Sequence, residues 1–168
     1  EIDIIVRNEG EYTMVDLANF LIKKTGDLSN IKGITYRNNG KIIRNPRREL
    51  INNLDELPFP DRAHFDFKRS MVGIQTSRGC PGACIFCVAS TMAGGYYRVR
   101  SAENVVGEIE YLYNLGARRY FFQDDTFTAE INRLKKILGL LQEKKLKIEW
   151  NAESRVDIVD IDQNIFSE

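Results

Sequence analysis

The second half of the chain alternates between short apolar runs and longer amphipathic segments. Strands are predicted over 71–75, 119–123 and 147–152, with helices over 101–115 and 131–141 between them. Ser101 is expected to cap the first of these helices, and a further helix or turn is expected over 158–166. In both helical segments the apolar residues recur at three- and four-residue intervals, which is typical of a helix with one buried face. Because strand–helix–strand units place their strands in parallel, this order predicts an α/β fold with a parallel sheet.

The first half predicts a smaller α/β extension. Its expected elements are a strand over 2–6, a helix over 15–23 capped by Thr13 or Asp16, and two strands over 31–37 and 41–44. Asn38-Asn39-Gly40 joins the last two strands. Asn-Gly between two strand-like runs is a strong signal for a tight β-hairpin, so these strands are expected to pair.

A proline-containing segment separates the two halves. Leu57-Pro58-Phe59-Pro60 suits neither a helix interior nor a central strand, because proline has no N–H to donate. We therefore expect one region over 1–65, which ends in this linker, and a second over 66–168. Three strands are too few to close a barrel, and the chain begins with Glu1 rather than Met. We expect it to be part of a longer protein.

Composition narrows the classes of function. The 24 Lys and Arg residues are balanced by 24 Asp and Glu, so no net charge attracts nucleic acid, and none is expected as a partner. No apolar run approaches the roughly 18 residues that a membrane span needs, so no membrane association is expected. The three Cys are odd in number and tightly clustered, which indicates metal or redox chemistry in a reducing, cytoplasmic compartment.

The three cysteines form a C-x3-C-x2-C motif of Cys80, Cys84 and Cys87, directly after a predicted strand. Thiolates are soft ligands that suit zinc or iron–sulfur clusters. A cubane cluster has four irons, so three thiolates would leave one iron open, as a catalytic centre requires. Parallel α/β folds place their active sites at the carboxyl ends of strands, where this loop lies.

Two other interpretations of the loop stay open. A structural zinc site would need a fourth ligand, and His64 is the only histidine. An electron-transfer ferredoxin normally supplies four cysteines for each cubane cluster.

The motif, with the aromatic Phe86 just before its last cysteine, resembles that of the radical S-adenosylmethionine (radical SAM) superfamily. The resemblance implies a partial (βα) barrel with about three βα units present. It implies that the three thiolates bind a [4Fe-4S] cluster, whose fourth iron chelates S-adenosylmethionine, and that one electron cleaves this cofactor to a 5′-deoxyadenosyl radical. The neighbourhood of Phe86 would then contact adenine, although simple core packing is an alternative for this ring.

Polar residues also follow the second and third predicted strands. Asp124 and Asp125 follow 119–123, where the superfamily contacts the methionine ammonium, often with Gly-Gly-Glu instead of Asp-Asp. Glu153 and Arg155 follow the third strand and could reach the cofactor or the substrate, and Arg suits a carboxylate through paired hydrogen bonds. The alternatives are that one Asp starts the following turn and that 153–155 is a solvated, ion-paired loop.

Several segments together resemble one branch of the superfamily, the cobalamin-binding radical enzymes. They are Asn8-Glu9-Gly10-Glu11, Ile31-Lys32-Gly33-Ile34-Thr35-Tyr36, Leu54-Asp55-Glu56-Leu57-Pro58-Phe59-Pro60 and Thr76-Ser77-Arg78-Gly79-Cys80-Pro81. This branch includes anaerobic Mg-protoporphyrin ester cyclase-like proteins and methyltransferases. Residues 1–65 would then be the tail of an upstream cobalamin-binding-like domain plus the linker, with cobalamin bound in the longer parent and not by this fragment.

The resemblance implies a radical SAM enzyme that carries out radical methyl transfer or cyclisation on a small-molecule substrate. An electron donor such as flavodoxin or ferredoxin would be its partner, and the fragment alone could be inactive. The alternatives are a tRNA methylthiotransferase-like radical enzyme and a non-catalytic iron–sulfur domain that relays electrons.

Overall fold

The structure is a computed structural model that describes residues 2–62, 64–67 and 70–155. The chain divides into two compact units, Glu1–Asn52 and Asn53–Glu168. Within the residues that the structure describes, no helix has both the length and the apolar character needed to cross a membrane.

The first unit is a three-stranded antiparallel sheet with one long helix. Strands β1 (Ile4–Val6), β2 (Ile34–Asn38) and β3 (Lys41–Arg44) lie in that order, and helix α1 spans Glu11–Lys23. A small core forms between the helix and the sheet, with buried Leu17, Ile31, Ile34 and Tyr36. The predicted hairpin is confirmed: Asn38 pairs with Lys41, and the two turn residues have φ of 48° and 77°, as a type I′ turn requires.

Helix α1 begins at Glu11, four residues before the predicted start, and the expected cap at Thr13 or Asp16 is wrong. Thr13 lies inside the helix, where it is fully buried and its hydroxyl donates to the Lys32 carbonyl at 3.4 Å. Thr13 therefore makes a tertiary hydrogen bond from inside the helix, although threonine is locally preferred at a helix end.

The second unit contains the predicted parallel sheet. Strands β4 (Val72–Ile74), β7 (Arg119–Phe122) and β8 (Glu149–Ala152) lie in that order, and both pairings are parallel. Between β4 and β7 the chain adds a two-residue ribbon, β5 (Ser77–Arg78) with β6 (Arg98–Val99), and a short helix α2 (Ala89–Met92). Neither was predicted, because elements of two to four residues show no periodicity. The helix or turn expected over 158–166 lies outside the described residues.

Two helices cover this sheet. Helix α3 spans Ala102–Asn114 and α4 spans Ile131–Glu143. The predicted cap of α3 is confirmed, since the Ser101 hydroxyl accepts from the Asn104 N–H at 3.1 Å. The core includes Phe122 and Phe127, whose rings stack at 4.2 Å between centroids, with Trp150 edge-on to both. The described residues therefore form an α/β fold with three parallel strands and the helices α3 and α4 between them, as expected.

The proline-containing linker packs against α3. Asp55 accepts a hydrogen bond from the Ser101 N–H at 2.9 Å. The Phe59 ring lies 6.4 Å from that of Tyr111, and the Arg100 guanidinium lies over Phe59 at 5.6 Å. The linker therefore contributes to the second unit.

Glu108 is an acidic residue buried in α3, only 2% exposed. Its carboxylate accepts from Arg100 at 2.6 Å and lies 3.7 Å from the Arg62 guanidinium. The same two arginines donate to backbone carbonyls of Gln75 and Gly73. Because a buried charge is stable only when it is paired and hydrogen-bonded, this cluster connects α3, the linker and the β4 region.

Replacing Glu108 with Ala is expected to lower the free energy of unfolding by about 3–5 kcal/mol, because the buried Arg100 loses its ion-pair partner. Urea denaturation measures the change. The matched control is Glu110→Ala on the same helix, which removes an exposed pair with Lys144 at 2.9 Å and should cost about 0–1 kcal/mol. Equal losses in both variants would contradict the structural role of Glu108.

Candidate metal and cofactor site

Three parallel strands end at the same edge of the second-unit sheet, and each is followed by candidate residues. The cysteine loop comes after β4 and β5, Asp124 and Asp125 come directly after β7, and Glu153 and Arg155 come directly after β8. The carboxyl edge of a parallel sheet is where ligands bind in α/β folds. The topology therefore brings the predicted site residues to one edge.

The cysteine loop begins at a glycine that no other residue could replace without strain. Gly79 has φ of 84°, and a Cβ at this position would lie 2.5 Å from the Tyr96 carbonyl oxygen and 2.7 Å from the Ala93 Cβ. Both the left-handed backbone and the close approach exclude a side chain. Gly79 thus sets the direction in which the chain enters the loop.

The Asp124 carboxylate fixes the start of this loop. It is 2% exposed and accepts from the N–H and the hydroxyl of both Thr76 and Ser77. The Thr76 hydroxyl in turn accepts from the buried Arg133 of α4 at 3.0 Å. These bonds join the chain after β4 to the chain after β7.

Asp124 therefore has a structural function, because its carboxylate already accepts hydrogen bonds from four donor groups of Thr76 and Ser77. Its expected contact with the methionine moiety stays a prediction that this geometry does not favour. Asp125 is exposed at the same edge and is the better placed of the two carboxylates for a ligand.

Cys80 is half-buried, and its sulfur has two polar neighbours. The Gly82 N–H donates to Cys80 Sγ at 3.3 Å, and Thr126 Oγ1 lies 3.2 Å from the same sulfur. Donors to cysteine sulfurs stabilise the negative charge of a thiolate and of a cluster bound to it.

Cys84 is half-buried against a cation. Arg155 Nη1 lies 2.6 Å from Cys84 Sγ. A Cβ on Gly82 would lie 2.7 Å from that same Nη1, so the absence of a side chain at Gly82 leaves room for the guanidinium. Sequence reasoning placed Arg155 at a cofactor or substrate, whereas the structure places it beside a cysteine of the motif.

The remaining candidates lie at the surface. Phe86 is 90% exposed, and Cys87, Asp125 and Glu153 are also exposed. The alternative of core packing for the Phe86 ring is not what the structure shows. An exposed aromatic ring next to half-buried cysteines is accessible to a ligand.

Sequence reasoning missed four polar residues of this site: Thr76, Ser77, Thr126 and Arg133. Thr76 and Ser77 lie shortly before the motif, and Thr126 directly follows the two aspartates. Their position in the sequence next to predicted site residues could therefore have indicated them. Nothing in the sequence marks Arg133, which lies in a helix with charged neighbours. Near these residues, burial raises the pKa of the Tyr97 phenol above its usual value.

The donor set is chemically suited to a thiolate-bound cluster. Among the described residues, no three His, Cys, Asp or Glu side chains are arranged to hold one metal ion. A cubane presents its irons at separate corners, so its cysteines need not converge on a point. The left-handed Gly79, the Gly82 N–H and the cation beside Cys84 fit a negatively charged group at this loop.

The fold and the loop define an α/β protein with a three-cysteine site at the carboxyl edge of its parallel sheet. The model of the family described as "Radical SAM superfamily" matches residues 74–162. The chain belongs to the radical SAM superfamily.

The named relatives include a methyltransferase and a cyclase. An uncharacterized methyltransferase of Pyrococcus horikoshii is 40% identical over 93% of this chain and 35% of its own length. The anaerobic magnesium-protoporphyrin IX monomethyl ester cyclase of Cereibacter sphaeroides is 29% identical over 98% of this chain and 29% of its own.

A solved structure shows the same fold. The cobalamin-dependent S-adenosylmethionine radical enzyme OxsB, with aqua-cobalamin and S-adenosylmethionine bound, has a TM-score of 0.76 and 26% identity over 94% of this chain. The chain spans 35% of the Pyrococcus relative and 23% of OxsB, so it corresponds to about a third or less of these proteins.

Replacing Gly79 with Ala is expected to prevent stoichiometric cluster assembly, because the new Cβ would displace the chain at the Tyr96 carbonyl. Iron and sulfide per chain after anaerobic reconstitution measure this. The control is Gly95→Ala, whose φ of 82° is also left-handed but whose Cβ would meet nothing within 4 Å. Normal iron content in the Gly79 variant would contradict the importance of the close approach.

Proposed function

We propose that this chain is the cofactor-binding part of a radical SAM enzyme. The observation that supports this most directly is the C-x3-C-x2-C loop at the carboxyl edge of the sheet, with donors beside the sulfurs of Cys80 and Cys84. In this proposal Cys80, Cys84 and Cys87 bind a [4Fe-4S] cluster. When bound, this cluster supplies the electron that reductively cleaves S-adenosylmethionine to a 5′-deoxyadenosyl radical.

The residues of the edge have distinct roles in the proposal. The exposed carboxylate of Asp125 receives the ammonium of S-adenosylmethionine, while Asp124 fixes the loop start. Arg155 balances the negative charge at Cys84 and can reach a cofactor carboxylate, with Glu153 as a further polar contact. The exposed ring of Phe86 offers an apolar surface to adenine.

The complete reaction belongs to a longer protein. We infer radical methyl transfer or cyclisation on a small-molecule substrate, because the named relatives include methyltransferases and a cyclase. OxsB, which binds cobalamin, supports a cobalamin site in the longer protein outside residues 1–168. Residues 1–65 would be the tail of that upstream domain plus the linker, and a small electron carrier such as flavodoxin or ferredoxin would reduce the cluster.

The test is anaerobic reconstitution followed by electron paramagnetic resonance of the reduced protein, with and without S-adenosylmethionine. A cubane signal that changes when S-adenosylmethionine is added, together with formation of 5′-deoxyadenosine, supports the enzyme. A signal that ignores the cofactor, with no 5′-deoxyadenosine, favours an electron relay. Tight zinc binding without a cluster would overturn the assignment.

Replacing Cys84 with Ala is expected to abolish cubane assembly, because one of the three ligands is lost. The same reconstitution and spectroscopy measure the outcome, with Ala83→Ser as a control that leaves every cysteine in place. A full [4Fe-4S] signal in the Cys84 variant would contradict the ligand assignment.

Replacing Asp125 with Asn is expected to weaken binding of S-adenosylmethionine about tenfold, or ~1.4 kcal/mol, because a charge-assisted hydrogen bond to the ammonium becomes a neutral one. Calorimetric titration of the reconstituted protein measures the affinity. By contrast, Asp124→Asn should lower the free energy of unfolding by ~1–3 kcal/mol, because an amide group would face the buried donors of Thr76 and Ser77. Unchanged affinity in the Asp125 variant would remove Asp125 from the binding site.

A further inference from the structure

Thr126 presents a hydroxyl to the first cysteine of the motif from inside the protein. Its Oγ1 lies 3.2 Å from Cys80 Sγ, and the residue is fully buried. Thr126 follows Asp124 by two positions, and the Asp124 carboxylate binds Thr76 and Ser77 ahead of the cysteine loop. Both sides of the contact are therefore anchored by the same group of hydrogen bonds.

The Thr126 hydroxyl has one hydrogen and two possible acceptors. It lies 2.7 Å from the Asp125 carbonyl and 3.2 Å from Cys80 Sγ. A protonated Cys80 thiol can donate to Thr126 Oγ1, which leaves the hydroxyl hydrogen for the carbonyl. A metal-bound cysteine sulfur has no proton and carries negative charge, so it can only accept. A charge-assisted hydrogen bond to this sulfur is stronger than the neutral bond to the carbonyl.

We propose that the Thr126 hydroxyl turns from the Asp125 carbonyl to the Cys80 sulfur when the cluster is bound, and that this hydrogen bond raises the cluster's reduction potential. Thr126 is then a positioning and tuning residue that acts through Cys80. The inference rests on the proposed function, because it requires a cluster on Cys80.

The direction of the effect follows from the charge. Reduction adds one negative charge to the cluster, and part of it resides on the cysteine sulfurs. A donor stabilises the reduced form more than the oxidised form, so its removal makes reduction harder. Because Thr126 itself is fully buried, water does not readily take the position of the lost hydroxyl.

The experiment is an anaerobic redox titration of the reconstituted chain, followed by electron paramagnetic resonance, with Thr126→Val compared with the unaltered protein. Valine keeps the shape of threonine and removes the hydroxyl. In Thr126→Val the equilibrium constant for reduction of the cluster is expected to fall about tenfold. The midpoint potential then becomes more negative by ~59 mV for a one-electron couple. Thr126→Ser, which keeps the hydroxyl, should retain a potential close to that of the unaltered protein.

Two further variants separate tuning from structural damage. Thr126→Ala also removes the hydroxyl but leaves a small cavity, and it should shift the potential in the same direction. It tests the effect of the hydroxyl on the potential if the valine variant assembles little cluster. Thr128→Val is the matched control, because Thr128 is a buried threonine two residues away whose hydroxyl contacts Ser154 and not a cysteine. Its potential should not change.

The outcomes distinguish this inference from the proposed function. A normal cluster with an unchanged potential in both Thr126→Val and Thr126→Ala overturns the inference and leaves the proposed function intact. A shift of equal size in Thr128→Val also overturns it, because the effect would then be structural. Failure of the unaltered chain to assemble any cluster overturns both.

Discussion

The Asp124 carboxylate, buried between the ends of two parallel strands, is the interaction on which the candidate site depends. It accepts from the N–H and hydroxyl groups of Thr76 and Ser77, and Arg133 donates to the same Thr76 hydroxyl. A buried carboxylate without these donors would be strongly unfavourable. The requirement for pairing therefore fixes the chain after β4 against the chain after β7, and so fixes where the cysteine loop begins.

Charge compensation recurs at the same edge of the sheet. Arg155 lies against Cys84, and the Gly82 N–H and the Thr126 hydroxyl lie against Cys80. Elsewhere in the unit the buried Glu108 is paired with Arg100. The second unit thus places hydrogen-bond donors and a cation beside the cysteine sulfurs, an environment that fits an anionic cluster. Gly79 and Gly82 contribute by leaving space for a carbonyl and a guanidinium.

Much of the fold could be predicted because its elements are long and periodic. The two 13-residue helices α3 and α4, the strand between them and the Asn39-Gly40 hairpin all occur where the patterns indicated. The ribbon of β5 and β6 could not be predicted, because its two-residue strands are too short to show a periodic pattern. The early start of α1 could not be predicted either, because it depends on a contact distant in sequence. Thr13 shows the reason: a residue with a strong preference for a helix end lies inside a helix, where its hydroxyl meets Lys32.

The sequence by itself indicated metal or iron–sulfur chemistry, since the spacing of Cys80, Cys84 and Cys87 and their place after a strand are local features. It also determined that acidic and basic residues follow the next two strands. Only the tertiary structure decided the burial and the contacts of each residue. Asp124 is buried among hydrogen-bond donors, whereas Asp125 is exposed. Arg155 contacts Cys84, and Thr126 contacts Cys80. The physical reason is that burial and hydrogen-bond partners are set by tertiary contacts between residues about 50 to 70 positions apart, and no local sequence pattern records such contacts.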